Sequence, residues 1–177
     1  MKVVVLRIGH RYVRDDRVTT HVFLAARALG ARKVIYSGQR DKKLEESVRK
    51  VVKMWGGSFE VSHRRDWRRT IAKWKELGGE VVHLTVYGQP IHNVIPEIRE
   101  CAKNKLVIVG GAKVPRIVYE LADWNVSITS QPHSEISALS IFLHELFGGK
   151  ELSKNFKGYK IRVEPHSKGK TVFRLQE

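Results

Sequence analysis

The chain has 177 residues, with 33 Lys plus Arg against 18 Asp plus Glu, a formal net charge of +15 and a pI near 10.1. That length suits one domain with its own core, and that charge exceeds what solubility needs, pointing to a polyanionic partner, with nucleic acid ahead of an anionic membrane surface. A single cysteine, Cys101, excludes intrachain disulfides and multi-cysteine zinc or iron–sulfur sites, so no metal is expected.

The first apolar run, Val3–Ile8, reads as a strand, and the N-terminus enters it without a secretory leader, so a cytoplasmic location is expected. A helix is predicted over Arg17–Leu29, with Asp15 or Asp16 as its cap and Gly30 as its stop. Then follow strand Lys33–Tyr36, helix Asp41–Trp55, strand Ser58–Val61 and helix Trp67–Leu77, stopped by Gly78. Strand Glu80–Thr85, helix Ile95–Lys103, strand Leu106–Val109, helix Pro115–Ala122, strand Asn125–Ile128 and helix Ser134–Phe147 complete the alternation. This pattern predicts an α/β fold, a single-domain parallel sheet flanked by helices, over residues 1–149. Its apolar runs are far shorter than the ~20 residues of a membrane-spanning helix, so no membrane partner is expected. Residues 150–177 read as a C-terminal extension, with Tyr159–Glu164 and Thr171–Leu175 pairing as a β-hairpin around Lys168-Gly169-Lys170. The helix Ser134–Phe147 is apolar almost all round, which either an interior position or a homodimer would explain.

Chemistry is suggested by three loops that each follow a strand: His83-Leu84-Thr85-Val86-Tyr87-Gly88, Val109-Gly110-Gly111-Ala112-Lys113-Val114-Pro115, and Ile128-Thr129-Ser130-Gln131-Pro132-His133-Ser134-Glu135. Ligands in parallel α/β sheets bind beyond the carboxyl ends of strands, and these loops offer backbone amides, hydroxyls and aliphatic surface with Glu135 as the nearby acid. A largely neutral, amphipathic small molecule suits them. The loop after the first strand crowds Arg7, Arg11, Arg14 and Arg17 with His10 and His21, more cations than a capped turn needs, and suits phosphates. A second basic stretch holds Arg64, Arg65, Arg68 and Arg69 beside Trp67, Ile71 and Trp74. The three large apolar residues share one helical face as core anchors, leaving the arginines for the nucleic-acid backbone. No Walker sequence, G-x-G-x-x-G, G-x-S-x-G or H-E-x-x-H is present, which argues against P-loop, ordinary dinucleotide, serine-hydrolase and zinc-protease chemistry.

Taken in order, Leu6-Arg7-Ile8-Gly9-His10-Arg11 with Arg14-Asp15-Asp16-Arg17-Val18-Thr19-Thr20-His21-Val22, His83 to Gly88, Val109 to Pro115, and Ser134-Glu135-Ile136-Ser137-Ala138-Leu139 resemble the SPOUT class of RNA methyltransferases. Within it they resemble the archaeal family that methylates the ribose 2'-hydroxyl of cytidine 56 in the tRNA T-loop. The resemblance implies S-adenosylmethionine as donor, tRNA as partner, a C-terminal trefoil knot, and a homodimer that assembles the active site. It also implies that the donor is held by Leu84, Thr85 and Gly88, by Val109, Gly110, Gly111, Ala112 and Lys113, and by Ile128, Thr129, Ser130, Gln131, Pro132, His133 and Ser134. By the same resemblance an arginine activates the hydroxyl; Arg17 is the choice, with His21 the alternative base. Arg7, Arg11, Arg14, Arg64, Arg65, Arg68 and Arg69 are then assigned to RNA. The competing readings are a non-catalytic RNA-binding or assembly factor on the same fold, and methylation of another nucleotide.

Overall fold

The computed structural model describes residues 1–111 and 113–175. Six strands form one parallel sheet: β1 (Val3–His10), β2 (Lys33–Gly38), β3 (Glu60–His63), β4 (Glu80–Pro90), β5 (Lys105–Gly110) and β6 (Trp124–Ser127), in the order β3-β2-β1-β5-β4-β6. Between and after them come α1 (Asp16–Ala28), α2 (Lys42–Trp55), α3 (Trp67–Glu76), α4 (Ile91–Glu100), α5 (Arg116–Leu121) and α6 (Glu135–Phe147).

The continuous apolar character of the central strands follows from helices covering both faces. In β1, Val3 and Val5 point into one core while Val4, Leu6 and Ile8 point into the other. The larger core is closed by α1, α2, α4 and α6, through residues such as Phe23, Val48, Ile98 and Phe142. The smaller is closed by α3 and α5, through Ile71 and Val118, with Trp67 and Trp74 packed against it as the expected anchors.

Several boundaries differ from the sequence reading. Helix α4 starts at Ile91 and ends at Glu100, because burial of Ile91, Val94, Ile95 and Ile98 on one face outweighs the backbone bond that Pro96 cannot make. Strand β3 starts two residues beyond Ser58, since the Gly57 amide is held by the Lys157 carbonyl at 2.8 Å before the chain reaches the sheet. Helix α6 is not covered all round: Ala138, Leu139, Phe142, Leu143 and Leu146 are buried, but Ile141 is 43% exposed. At the C-terminus, β7 (Ile161–Glu164) and β8 (Thr171–Arg174) pair antiparallel as a hairpin, joined to the end of α2 through Lys160 N–H donating to the Met54 carbonyl at 2.8 Å.

The largest difference lies in β4, which continues past Thr85 to Pro90. It pairs with β6 twice: Leu84 opposes Val126, and then Gln89 opposes the same Val126. Residues 85–88 therefore leave the ladder, and the chain returns so close to β6 that a Cβ on Gly88 would lie 2.5 Å from the Asn125 carbonyl carbon and the Val126 nitrogen. The obstruction is backbone rather than a movable side chain. Gly88→Ala is expected to cost at least ~1–3 kcal/mol in urea unfolding, the usual cost of overpacking, and an unchanged midpoint would show that the close approach is dispensable.

Candidate active site

The return of β4 opens a cavity of about 490 Å³ at the carboxyl end of the sheet. Its walls come from the end of β4 (His83 to Tyr87), the end of β5 (Gly110, Gly111, Val114), the end of β6 (Val126, Ile128), the segment entering α6 (Pro132 to Glu135), Tyr119 and Ala138. Gly110 is required here because a Cβ would meet Val114 Cγ2 at 2.0 Å, and that valine is itself part of the wall. Ser134 caps α6 by accepting the Ser137 amide at 3.1 Å, and thereby holds the entering loop against the cavity. Thr85 and Tyr119 hydroxyls meet at 3.1 Å across another wall.

Of the residues expected to hold a donor molecule, Leu84, Thr85, Gly110, Gly111, Ile128, Pro132, His133 and Ser134 line this cavity. Gly88 is turned against β6, Val109 is buried in the larger core, and Lys113, Thr129, Ser130 and Gln131 are exposed beside the opening loops without lining it. Ala112 lies outside the described residues.

His83 is a wall residue that the sequence reading did not assign. The Asn125 amide NH₂ donates to the Tyr119 carbonyl at 2.9 Å, which turns its oxygen toward His83 Nδ1, also at 2.9 Å. Nδ1 must then donate, leaving Nε2 as a lone-pair acceptor, and this atom is buried without a protein partner. Burial pushes the imidazole below its ordinary value and keeps it neutral. The signal available in sequence was a histidine inside an otherwise apolar strand.

Arg7, expected to contact RNA, is corrected by its surroundings. It is 1% exposed, donates from Nη1 to the Ile8 carbonyl at 2.9 Å, and pairs with Glu135 at 3.4 Å. Burial pushes the guanidinium down while Glu135 pulls it back up. Its position in β1 explains the change: side chains at 3, 5 and 7 share one face, and that face lies under α1 and α6. Arg7 ties β1 to the start of α6 and neutralises Glu135, the one carboxylate in the cavity wall among the described residues.

The other predicted cations are exposed. Arg11 is held by Asp15 through Nε at 3.0 Å and Nη2 at 2.9 Å, and that hydrogen bonding holds Asp15 below the usual carboxylate range. Asp15 occupies the cap position of α1, but its carboxylate accepts from the Arg11 main chain and side chain instead of from the helix amides. Between them, Val13 sits at φ +68°, a strained conformation for a β-branched residue. Arg14 is exposed in this loop, and Arg17 and His21 are exposed on the first turns of α1; none of them lines the cavity. Arg64, Arg65, Arg68 and Arg69 are exposed where β3 enters α3, which Asp66 caps by accepting the Arg69 amide at 3.0 Å. Arg68 lies 4.6 Å from the Trp67 ring centre. Both basic loops follow the carboxyl ends of strands, so cations occupy the β3-β2-β1 half of the edge whose β5-β4-β6 half holds the cavity.

A family model described as tRNA ribose 2'-O-methyltransferase, aTrm56, matches residues 55–173. The chain is 51% identical over 177 residues to the tRNA (cytidine(56)-2'-O)-methyltransferase of Methanothermobacter thermautotrophicus, covering 100% of this chain and 99% of that protein. It is 53% identical over 179 aligned positions to the protein of that name from Methanocaldococcus jannaschii, again covering 100% and 99%. Among solved structures, the A. aeolicus TrmH/SpoU tRNA modifying enzyme superposes with a TM-score of 0.65 at 15% identity, over 85% of this chain and 76% of that one. The SpoU methyltransferase AviRb from Streptomyces viridochromogenes, in complex with AdoMet, gives 0.59 at 16% identity over 86% and 58%. These two likenesses speak to the fold.

Two outcomes follow from the buried groups. Free histidine titrates near ~6.5 and folded His83 lower, so its contribution is present above that value and is lost as pH falls below it. His83→Gln should flatten the loss of stability between about pH 7 and 5; a slope equal to the wild type would contradict a buried neutral imidazole. Arg7→Gln should lower the thermal midpoint while leaving the salt dependence of tRNA binding unchanged, whereas a slope reduced by about one would return Arg7 to the RNA surface.

Proposed function

The chain belongs to the tRNA ribose 2'-O-methyltransferase family, and from that membership we propose that it methylates the 2'-hydroxyl of cytidine 56 in the T-loop of tRNA, using S-adenosylmethionine. The observation that carries this reading is the convergence of three strand-end loops on one cavity next to an exposed cationic edge. The residues present fit the donor. The volume lies within the ~300–1,000 Å³ usual for small-molecule sites. The walls combine aliphatic side chains such as Leu84, Val126 and Ile128 with backbone at Gly110 and Gly111, where a Cβ on Gly110 would fill the space beside Val114, and with hydroxyls from Thr85, Tyr119 and Ser134.

S-adenosylmethionine supplies an electrophilic methyl group on a sulfonium, which leaves as a neutral thioether. Leu84, Thr85, Gly110, Gly111, Ile128, Pro132, His133 and Ser134 hold and orient that group, with Gly88 shaping the wall from behind. The neighbouring loop residues Val109, Ala112, Lys113, Thr129, Ser130 and Gln131 complete the donor-binding segments. What these residues would supply is alignment of the bound donor with the ribose hydroxyl, which would provide much of the rate, while the hydroxyl proton would pass to a base or to water. A guanidinium is a poor base but a good stabiliser of an emerging alkoxide, and this is the role of Arg17, with His21 the alternative proton acceptor.

No arginine lines the cavity among the described residues, so Arg17 must be brought to it from outside. A homodimer in which a second copy presents its α1 to this cavity satisfies that need, and the exposed Ile141 on α6 offers apolar surface to such a contact. Arg11, Arg14, Arg64, Arg65, Arg68 and Arg69 then track the tRNA backbone. The trefoil knot that the resemblance implies is part of the same proposal. A cytoplasmic location accords with action on tRNA; among the described residues no helix is long and apolar enough to cross a membrane.

The test is methyl incorporation from labelled donor into a tRNA transcript and into its C56U counterpart. Incorporation into the first alone is expected. Arg17→Ala should lower the rate by about 10²–10³ while donor affinity is kept, as for loss of an oxyanion stabiliser. Wild-type turnover would remove Arg17 from the mechanism, equal labelling of both transcripts would remove cytidine 56 as the target, and tRNA binding without incorporation would favour the RNA-binding factor.

A further inference from the structure

We propose that His10, Asp16 and Asp41 form a binding site for a divalent transition-metal ion, which pins the basic loop between β1 and α1 to the start of α2. One imidazole nitrogen and two carboxylate oxygens from these residues all lie within 4.8 Å of one another. His10 is the last residue of β1, Asp16 the first of α1, and Asp41 the cap of α2.

The buried pair carries the argument. His10 is fully buried, with Nδ1 engaged by the Thr19 hydroxyl at 2.9 Å. Its Nε2 faces Asp41 Oδ2 at 3.8 Å, beyond hydrogen-bond reach; both atoms are buried, and the side chain that approaches Asp41 from its open side is the Asp16 carboxyl, which gives it no donor when both are ionised. The other Asp41 oxygen is already used as it accepts the Leu44 amide at 3.0 Å. Buried polar atoms left without a partner are costly and call for an explanation. Two donors held ~2.1 Å from one ion stand about 3–4 Å apart, so a cation resolves both orphans where a direct bond does not.

The arrangement is built rather than incidental. Thr19 orients the imidazole through its other nitrogen, as outer partners do for metal-binding histidines. The Tyr36 ring stands edge-on to His10 at 5.7 Å, and the Tyr36 hydroxyl accepts the Asp41 amide at 3.0 Å. Gly38, at φ +99°, lets β2 pass over His10 where a Cβ would meet its carbonyl oxygen at 2.3 Å, and so delivers Asp41 to the site. Asp16 is the exposed member, leaving one side open to water ligands and to an entering ion. One imidazole with two carboxylates is a mixed donor set suited to zinc or manganese. Ligands from positions 10, 16 and 41 share no short spacing, which hides them from a sequence search.

Such an ion would cross-link the two ends of the segment that carries Arg11, Arg14 and strained Val13, and would hold Arg17, next to Asp16 in the chain. The test is zinc binding to the chelator-treated full-length protein by equilibrium dialysis, with thermal denaturation and hydrogen exchange of residues 11–15 as further readouts. One zinc ion per chain is expected, raising the thermal midpoint and slowing exchange in the loop. Asp16→Asn, at an exposed position, and Asp41→Asn, which keeps the helix cap, should each weaken binding about tenfold or more. Absence of saturable binding, or equal binding by wild type and both variants through other histidines, would overturn the site.

Discussion

The structure depends on one close approach, that of the β4 return to the backbone of β6 at Gly88. Because Leu84 and Gln89 both oppose Val126, the intervening residues have nowhere to go in the sheet and become a wall. The ends of β5 and β6 and the entry to α6 then have something to close against, and a cavity exists where an ordinary strand end would leave an open groove. The register of a single strand pair therefore sets the geometry of the cavity. Arg7 adds the second tether, holding the start of α6 to the central strand through Glu135.

Charge is divided along the same edge of the sheet. The chain carries a large positive excess, yet among the described residues the cavity wall contains one carboxylate, Glu135, that a buried arginine already engages, and the neutral imidazole of His83. The exposed arginines at the ends of β1 and β3 attract a polyanion to the neighbouring half of the edge without filling the cavity with phosphate. A cofactor site and an RNA track can thus be adjacent and chemically distinct. The strain at Val13 and the unusual use of Asp15 to hold Arg11 both fall in the basic loop between β1 and α1, which the proposed function turns toward RNA.

Much of this was legible in the sequence because it rests on local rules. Alternating β-branched runs and helical spacing located all six sheet strands, and polar or glycine-bearing segments after strands located the cavity loops. Trp67, Ile71 and Trp74 were correctly read as anchors from their spacing. What escaped depends on pairings between distant segments. The extension of β4 to Pro90 follows from its contact with β6, and Arg7 from the face of β1 that α6 covers. The direction of Asp15 follows from a bond to Arg11 competing with the helix amides, and His83 gains meaning only beside Asn125 and Tyr119. The early start of α4 reflects tertiary burial overriding a proline that sequence rules place at a helix beginning.

The central claim is that the three loops beyond β4, β5 and β6 form one donor site. Hydrogen exchange read by mass spectrometry, with and without S-adenosylmethionine, tests it most directly. The account predicts slowed exchange together in residues 83–88, 109–114 and 128–135, with the basic loop at 64–69 unchanged. Protection confined to one of the three loops, or appearing at the basic loop instead, would contradict it.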